Sequence, residues 1–228
     1  MKGSVCNRLM IEGAWLISLF GVCWALAQDP VSTPLPKPQI NGGKPLMETL
    51  LARRSVRSFR SEPLSPQLLS HLLWAAYGVN RPNTGHRTVP SAMNRQEIDL
   101  YVATAEGVFL YEGPTHSLRR VHGEDIRALT GRQSFVREAP VNLILVADYA
   151  RMTNVPEEKK PIWSSISAGA IVQNVYLFCA SEGLATVVRG LFDEAALARA
   201  LQLKPDQKIV VAQTVGWPAQ GQQTRTGS

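Results

Sequence analysis

Ile162-Trp163-Ser164-Ser165-Ile166-Ser167-Ala168-Gly169-Ala170-Ile171-Val172-Gln173-Asn174-Val175-Tyr176-Leu177-Phe178-Cys179-Ala180-Ser181-Glu182 is the most apolar helix candidate in the chain, and Gly183 supplies its stop. Apolar residues surround most of its circumference, which predicts a helix in the middle of the molecule. Upstream, Val141 to Ala147 is a run, apolar but for Asn142, that reads as a strand buried on both faces. Downstream, Leu184 to Val188 reads as a strand, Asp193 to Leu201 as a capped helix and Lys208 to Val215 as a last strand.

Nearer the N-terminus, Leu46 to Arg54 reads as a short helix. Ser65-Pro66 gives an N-cap and a first-turn proline to a second helix, Gln67 to Tyr77, with Leu68, Leu69, Leu72, Leu73 and Ala76 as its apolar stripe. Ile98 to Thr104 and Gly107 to Tyr111 are strand-like and separated by Ala105-Glu106, which is hairpin spacing. Glu124 to Leu129 is a short helix candidate. Helices and strands are interspersed without an internal repeat, so the expected class is an α+β sandwich.

The 228 residues, 45% of them hydrophobic, suffice for one domain. Lys2 and Arg8 precede an apolar run from Ala14 to Ala27 that ends Ala25-Leu26-Ala27, the order of a secretory signal peptide over residues 1–27. The run is shorter than the ~20 residues that cross a bilayer, so export to the periplasm or beyond is expected, with a membrane anchor as the alternative. No stable membrane insertion is expected after cleavage. Residues 28–45 are proline-rich and include Asn41-Gly42-Gly43; they read as an extended tether before a domain spanning 46–218, and residues 219–228 read as a flexible tail. Cleavage after Ala27 leaves Cys179 as the only cysteine, which excludes an internal disulfide; its apolar surroundings favour a buried small hydrophobe over a nucleophile.

Two short segments carry the chemistry. Arg53-Arg54-Ser55-Val56-Arg57 places three guanidiniums and a hydroxyl within five residues, which suits a phosphate; a solvated basic helix C-terminus is the other reading. Pro90-Ser91-Ala92-Met93-Asn94-Arg95-Gln96 is loop chemistry and, taken alone, also reads as an ordinary polar turn.

In order along the chain, Arg-Arg-Ser-x-Arg-x-Phe at 53–59 and Pro-Ser-x-x-Asn-x-Gln at 90–96 resemble the FMN-binding signature of the nitroreductase family. Trp74-Ala75-Ala76-Tyr77-Gly78-Val79-Asn80-Arg81-Pro82 is similar to the branch that includes azoline-oxidising dehydrogenases. The resemblance continues through Ala168-Gly169-Ala170, Gln173-Asn174, Glu182 to Thr186 and Val215-Gly216-Trp217-Pro218. It implies a three-layer sandwich with a central mixed or antiparallel sheet flanked by helices, and a homodimer with FMN in its interface. It also implies that Arg53, Arg54, Ser55 and Arg57 hold the phosphate and ribityl chain. Pro90, Ser91, Met93, Asn94 and Gln96 would line the ring, from the partner subunit. Val188, Arg189 and Gly190 fall where the family uses backbone amides near the flavin N5. Many members add a basic residue from a C-terminal arm, and here only Arg225 follows the last strand.

The implied reaction is ping-pong electron transfer from NAD(P)H to an electron-poor small molecule, such as a nitro compound or quinone. Since a flavin performs the redox step itself, no catalytic side chain is assigned. An FMN-dependent dehydrogenase acting on a small or peptide substrate is the alternative within enzymes, and a non-catalytic flavin-fold binding protein is the rival from another class. No metal is expected, because His71, His86, His116 and His122 lack ligand spacing and read as surface or loop residues, with His86 a candidate for lining the open face. The net charge of +6 permits an anionic partner, but the basic residues are dispersed without interleaved aromatics, so nucleic acid is not expected.

Overall fold

The computed structural model describes residues 32–220. The expected leader, most of the expected tail and Arg225 lie outside the described residues.

The elements, in chain order, begin with β1 (Ser32–Pro34), α1 (Leu46–Ala52), α2 (Pro66–Tyr77), β2 (Val79–Arg81) and β3 (His86–Arg87). They continue with β4 (Ile98–Thr104), β5 (Gly107–Glu112), β6 (Ser117–His122), α3 (Phe135–Glu138) and β7 (Val141–Asp148). The chain closes with α4 (Lys160–Glu182), β8 (Ala185–Arg189), α5 (Glu194–Ala200) and β9 (Gln207–Gly216). Seven strands form one sheet in the order β1-β6-β5-β4-β7-β9-β8, and β2 and β3 form a separate hairpin. Every neighbouring pair in the large sheet is antiparallel, which resolves the expected mixed or antiparallel sheet.

Alternation along the central strands builds two cores. Leu100 and Val102 of β4 and Leu143 and Leu145 of β7 meet Leu72 and Leu73 of α2 and Ile171 and Val175 of α4. On the opposite face Tyr101, Ile144, Val146 and Ala212 meet Leu197 and Leu201. This is the three-layer α+β sandwich. Burying each large aliphatic side chain contributes about 1.5–3 kcal/mol, so the sheet's two faces dominate the stability.

The helix ends follow local chemistry. The Ser65 hydroxyl accepts the Leu68 N–H at 3.2 Å to cap α2, with Pro66 in the first turn. Gly183 ends α4 in the left-handed conformation at φ +72°, where a Cβ is disfavoured.

Four expectations need correction. The proline-rich segment is docked rather than free: Ser32–Pro34 pairs with β6, Thr33 opposite Leu118, and the Leu35 N–H reaches the His116 carbonyl at 3.0 Å. The edge tolerates Pro34 because Leu35 donates toward β6, so the N–H that Pro34 lacks would face away from the sheet. The segment over 124–129 is a single 3-10 turn, Arg127–Thr130, rather than an α-helix, and β6 is a strand where none was expected. The long helix is buried along only part of its surface: Ile166 is 66% exposed and Ile162 53%, while Ser164, Ala168, Ile171, Val175 and Cys179 face the sheet. Finally, of the histidines expected on the surface or in loops, His71 lies on α2 and His122 on β6, and His116, though in a turn, is tied between the Ser70 hydroxyl at 2.7 Å and the Tyr111 hydroxyl at 2.9 Å.

The far edge of the sheet is covered by the chain after α1. The Val56 N–H donates to the Thr186 carbonyl of β8 at 2.9 Å, and Phe59 bridges to Pro218.

Candidate flavin site

The arginine-rich segment leaves the end of α1 extended and runs beside β8. Ser55 and Tyr176 of α4 share a hydrogen bond at 2.8 Å between hydroxyls, and the same Tyr176 oxygen accepts the Val188 N–H at 3.0 Å. The Arg53 guanidinium stands 5.3 Å from the centre of the Tyr176 ring, a cation–π contact. One phenol therefore joins three expected site positions, Arg53, Ser55 and Val188. Sequence reading missed Tyr176, which hides in an apolar helix; its only signal was a hydroxyl among aliphatic neighbours, where a partner is required.

Arg54 and Val56 open onto a cavity of about 320 Å³ whose walls include Lys44, Tyr176, Cys179 and Thr186. Arg57 is exposed. Cys179 is fully buried, and desolvation pushes its thiol far above the usual range, so it is an inert wall.

Arg189 presents only backbone toward this side. Its guanidinium is buried, 5% exposed, and donates to the Thr130 carbonyl, to Asn142 Oδ1 at 2.7 Å and to Thr214 Oγ1 at 2.9 Å. All these acceptors are neutral, and desolvation lowers its pKa to about 10. Gly190 is exposed and follows directly.

The second group rests on different elements. After Pro90, the Ser91 hydroxyl accepts the Gln96 N–H at 3.0 Å, and the Gln96 side chain accepts from Arg87 Nε at 2.7 Å while donating to the Gly85 carbonyl at 2.9 Å and to Asn94 Oδ1 at 3.1 Å. Met93, Asn94 and Gln96 all have φ between +50° and +55°, a sparsely populated region that side chains enter only when other contacts hold them. Arg87 is that support, a second residue that sequence reading missed. It stacks 4.1 Å above the Tyr77 ring and donates to the Tyr77 carbonyl at 2.8 Å. Met93 is left 80% exposed at the loop's tip. At the base of the loop the Tyr77 hydroxyl and both Glu97 carboxylate oxygens are buried without a hydrogen-bond partner among the described residues. His86 lies in the hairpin beside this loop, bonded to Thr84 at 2.7 Å.

The cavity at Arg54 and Val56 is lined by none of residues 90–96, nor by Arg53, Ser55 or Arg57. One guanidinium, one ammonium and the Tyr176 and Thr186 side chains around a cavity have the chemistry to hold an anion; a strained, firmly braced loop with an exposed methionine offers a face to a flat ring.

The nitroreductase family model matches residues 50–217. The chain is 37% identical, over 169 residues, to a candidate nitroreductase of Methanocaldococcus jannaschii, an alignment covering 70% of this chain and 85% of that protein. The crystal structure of a candidate nitroreductase from Ralstonia eutropha superposes with a TM-score of 0.79 at 42% identity, covering 82% of this chain and 90% of that one. A candidate nitroreductase from Desulfovibrio desulfuricans, solved in complex with FMN, superposes with a TM-score of 0.57 at 25% identity, covering 82% and 94%. By sequence and by fold, this chain belongs to the nitroreductase family.

Proposed function

We propose that the protein is an FMN-dependent oxidoreductase that works as a homodimer and passes electrons from NAD(P)H to an electron-poor small molecule such as a nitro compound or quinone. The observation that carries this reading is the Tyr176 hydroxyl, which ties the guanidinium segment at Ser55 to the β8 amide at Val188. Bound FMN would supply the redox chemistry at its ring. The chain's part is to hold and orient it. Arg53, Arg54 and Arg57 offset the phosphate charge, and Ser55 and the Val188–Gly190 backbone offer hydrogen bonds. The Pro90–Gln96 loop, pinned by Arg87, shapes one side of the ring pocket.

Exposed apolar residues support the dimer. Leu46, Met47, Leu50 and Leu51 on α1, with Leu51 89% exposed, form one exposed apolar group, and Ile162 and Ile166 near the start of α4 form another. An apolar surface of this kind on a water-soluble fold calls for a covering partner, and a second copy would carry its own Pro90–Gln96 loop to the site. The leader composition supports export of the chain.

Titration of the purified protein with FMN, followed by flavin fluorescence and by release of flavin on denaturation, tests the reading. Arg57→Ala should weaken FMN about tenfold, the lower end for a charged hydrogen bond that remains partly solvated. Addition of NADH or NADPH under argon should bleach the flavin absorbance. A protein that stays colourless after incubation with FMN would refute the proposal.

A further inference from the structure

We infer that Arg151 is a second clamp on the Pro90–Gln96 loop, a positioning residue that holds the loop's shape by its main chain; the inference rests on the FMN reading above, in which this loop meets the flavin ring. Three residues of the loop, Met93, Asn94 and Gln96, keep left-handed backbones without being glycine, so the shape lasts only while outside contacts hold it. Arg87 grips the Gln96 side chain. A different residue grips the backbone: Arg151 Nη1 donates to the Gln96 carbonyl at 2.9 Å.

Arg151 ends the 3-10 turn Tyr149–Arg151 that follows β7, and each nitrogen of its guanidinium has a separate task. Nη2 pairs with Asp99 Oδ1 at 2.5 Å and Nε with Asp148 Oδ2 at 3.3 Å, so two carboxylates aim the fork while its remaining arm reaches the loop. Both carboxylates are themselves fixed. Asp99, 9% exposed on β4, accepts Gln207 Nε2 of β9 on its other oxygen at 3.0 Å, and Asp148 Oδ1 accepts the Ala150 N–H at 3.1 Å. The turn is pinned to its surroundings by the Asp148 N–H on the Glu97 carbonyl at 2.8 Å and by the Tyr149 N–H on the Asp206 carbonyl at 2.9 Å.

The connection runs both ways. Arg95, inside the loop, donates back to Thr153 Oγ1 at 3.2 Å and reaches the Arg151 carbonyl at 3.5 Å. Loop and turn each hold the other with a guanidinium, and the strain at Gln96 is opposed by Arg87 at its side chain and by Arg151 at its carbonyl. Arginine suits position 151 because a lysine ammonium keeps a charge beside one carboxylate but lacks the planar fork that spans three acceptors at fixed angles.

The test has two arms, both on the full-length protein. In the apoprotein, trypsin under native conditions reads the loop at the bond after Arg95: Arg151→Lys should raise cleavage there about fivefold by mass spectrometry, with Tm within about 2 °C of native, because an ion pair with Asp99 survives. In flavin titrations the same variant should weaken FMN and riboflavin by an equal factor of about three to five, since the loop acts on the ring that both share, and should alter the visible circular dichroism of the bound flavin. Arg151→Gln should show both effects more strongly. Native cleavage after Arg95 in both variants would overturn the inference, as would raised cleavage with native affinity for both flavins or a loss confined to FMN. Cleavage rising equally at every site with a large fall in Tm would make Arg151 a brace of the whole fold and overturn it too. If the native chain binds neither flavin, the FMN reading fails and the flavin role of Arg151 falls with it, while the trypsin arm still decides whether Arg151 holds the loop.

Discussion

Replacing Tyr176 by phenylalanine removes one oxygen and keeps the ring, which is 6% exposed, so no cavity forms and the packing of α4 on the sheet is retained. Two hydrogen bonds vanish. Ser55 is exposed, and water replaces its partner at almost no cost. The Val188 N–H is half-buried on β8 and loses its acceptor, which costs about 1–1.5 kcal/mol. For a domain of this size that is a fall of about 2–6 °C in Tm, readable by differential scanning fluorimetry. The same substitution uncouples the guanidinium segment from β8, so FMN affinity should fall in parallel titrations. An unchanged Tm together with unchanged FMN affinity would refute the reasoning outright. A lower Tm with native FMN affinity would show that the phenol supports the fold and leaves the site untouched.

Two other outcomes follow from the same geometry. Ile166→Glu puts a charge into the exposed apolar row of α4 and should shift the protein from dimer to monomer in light scattering after size exclusion while leaving the fold intact; an unchanged mass would place the dimer contact elsewhere. The third concerns pH. Because Ser70 donates to the Pro36 carbonyl, His116 Nε2–H donates to Ser70 and Nδ1 accepts from Tyr111, an arrangement only the neutral ring can make. Burial holds the His116 pKa below the ordinary 6.5, so on acidification the unfolded chain takes up the proton first. Stability should therefore decline from about pH 6.5 downward, and His116→Gln should remove that part of the decline in urea midpoints measured across the range. Parallel curves for the two proteins would exclude His116 as the source.

Most of the fold was legible because its main elements are long and patterned. The run at 141–147, apolar but for Asn142, and the stripe of α2 each have one reading, and Gly183 marks a helix end that only a left-handed residue makes well. What the sequence hid was decided by partners distant in the chain. Ser117–His122 is polar and short, and becomes a strand because β5 and β1 flank it. The arm's prolines forbid an interior strand, yet they say nothing about an edge. Both site motifs were visible as local strings, whereas Tyr176 and Arg87 were not. Tyr176 acts on Ser55, 121 positions away, and Arg87 acts on Tyr77 and Gln96, which a turn and a hairpin bring beside it; neither belongs to a string whose composition is unusual.

Both edges of the sheet are sealed by short or irregular chain: one by β1, a three-residue strand ending in proline, and the other, at β8, by the segment that carries the arginines. The second seal gives the anchor segment another duty. A β8 stripped of Val56 would offer open amides and carbonyls to any stray strand, and the flanking guanidiniums would no longer repel a like neighbour. Damage to this segment should therefore show itself as clumping of the apoprotein as well as loss of colour, and solubility becomes a proxy for the integrity of the site.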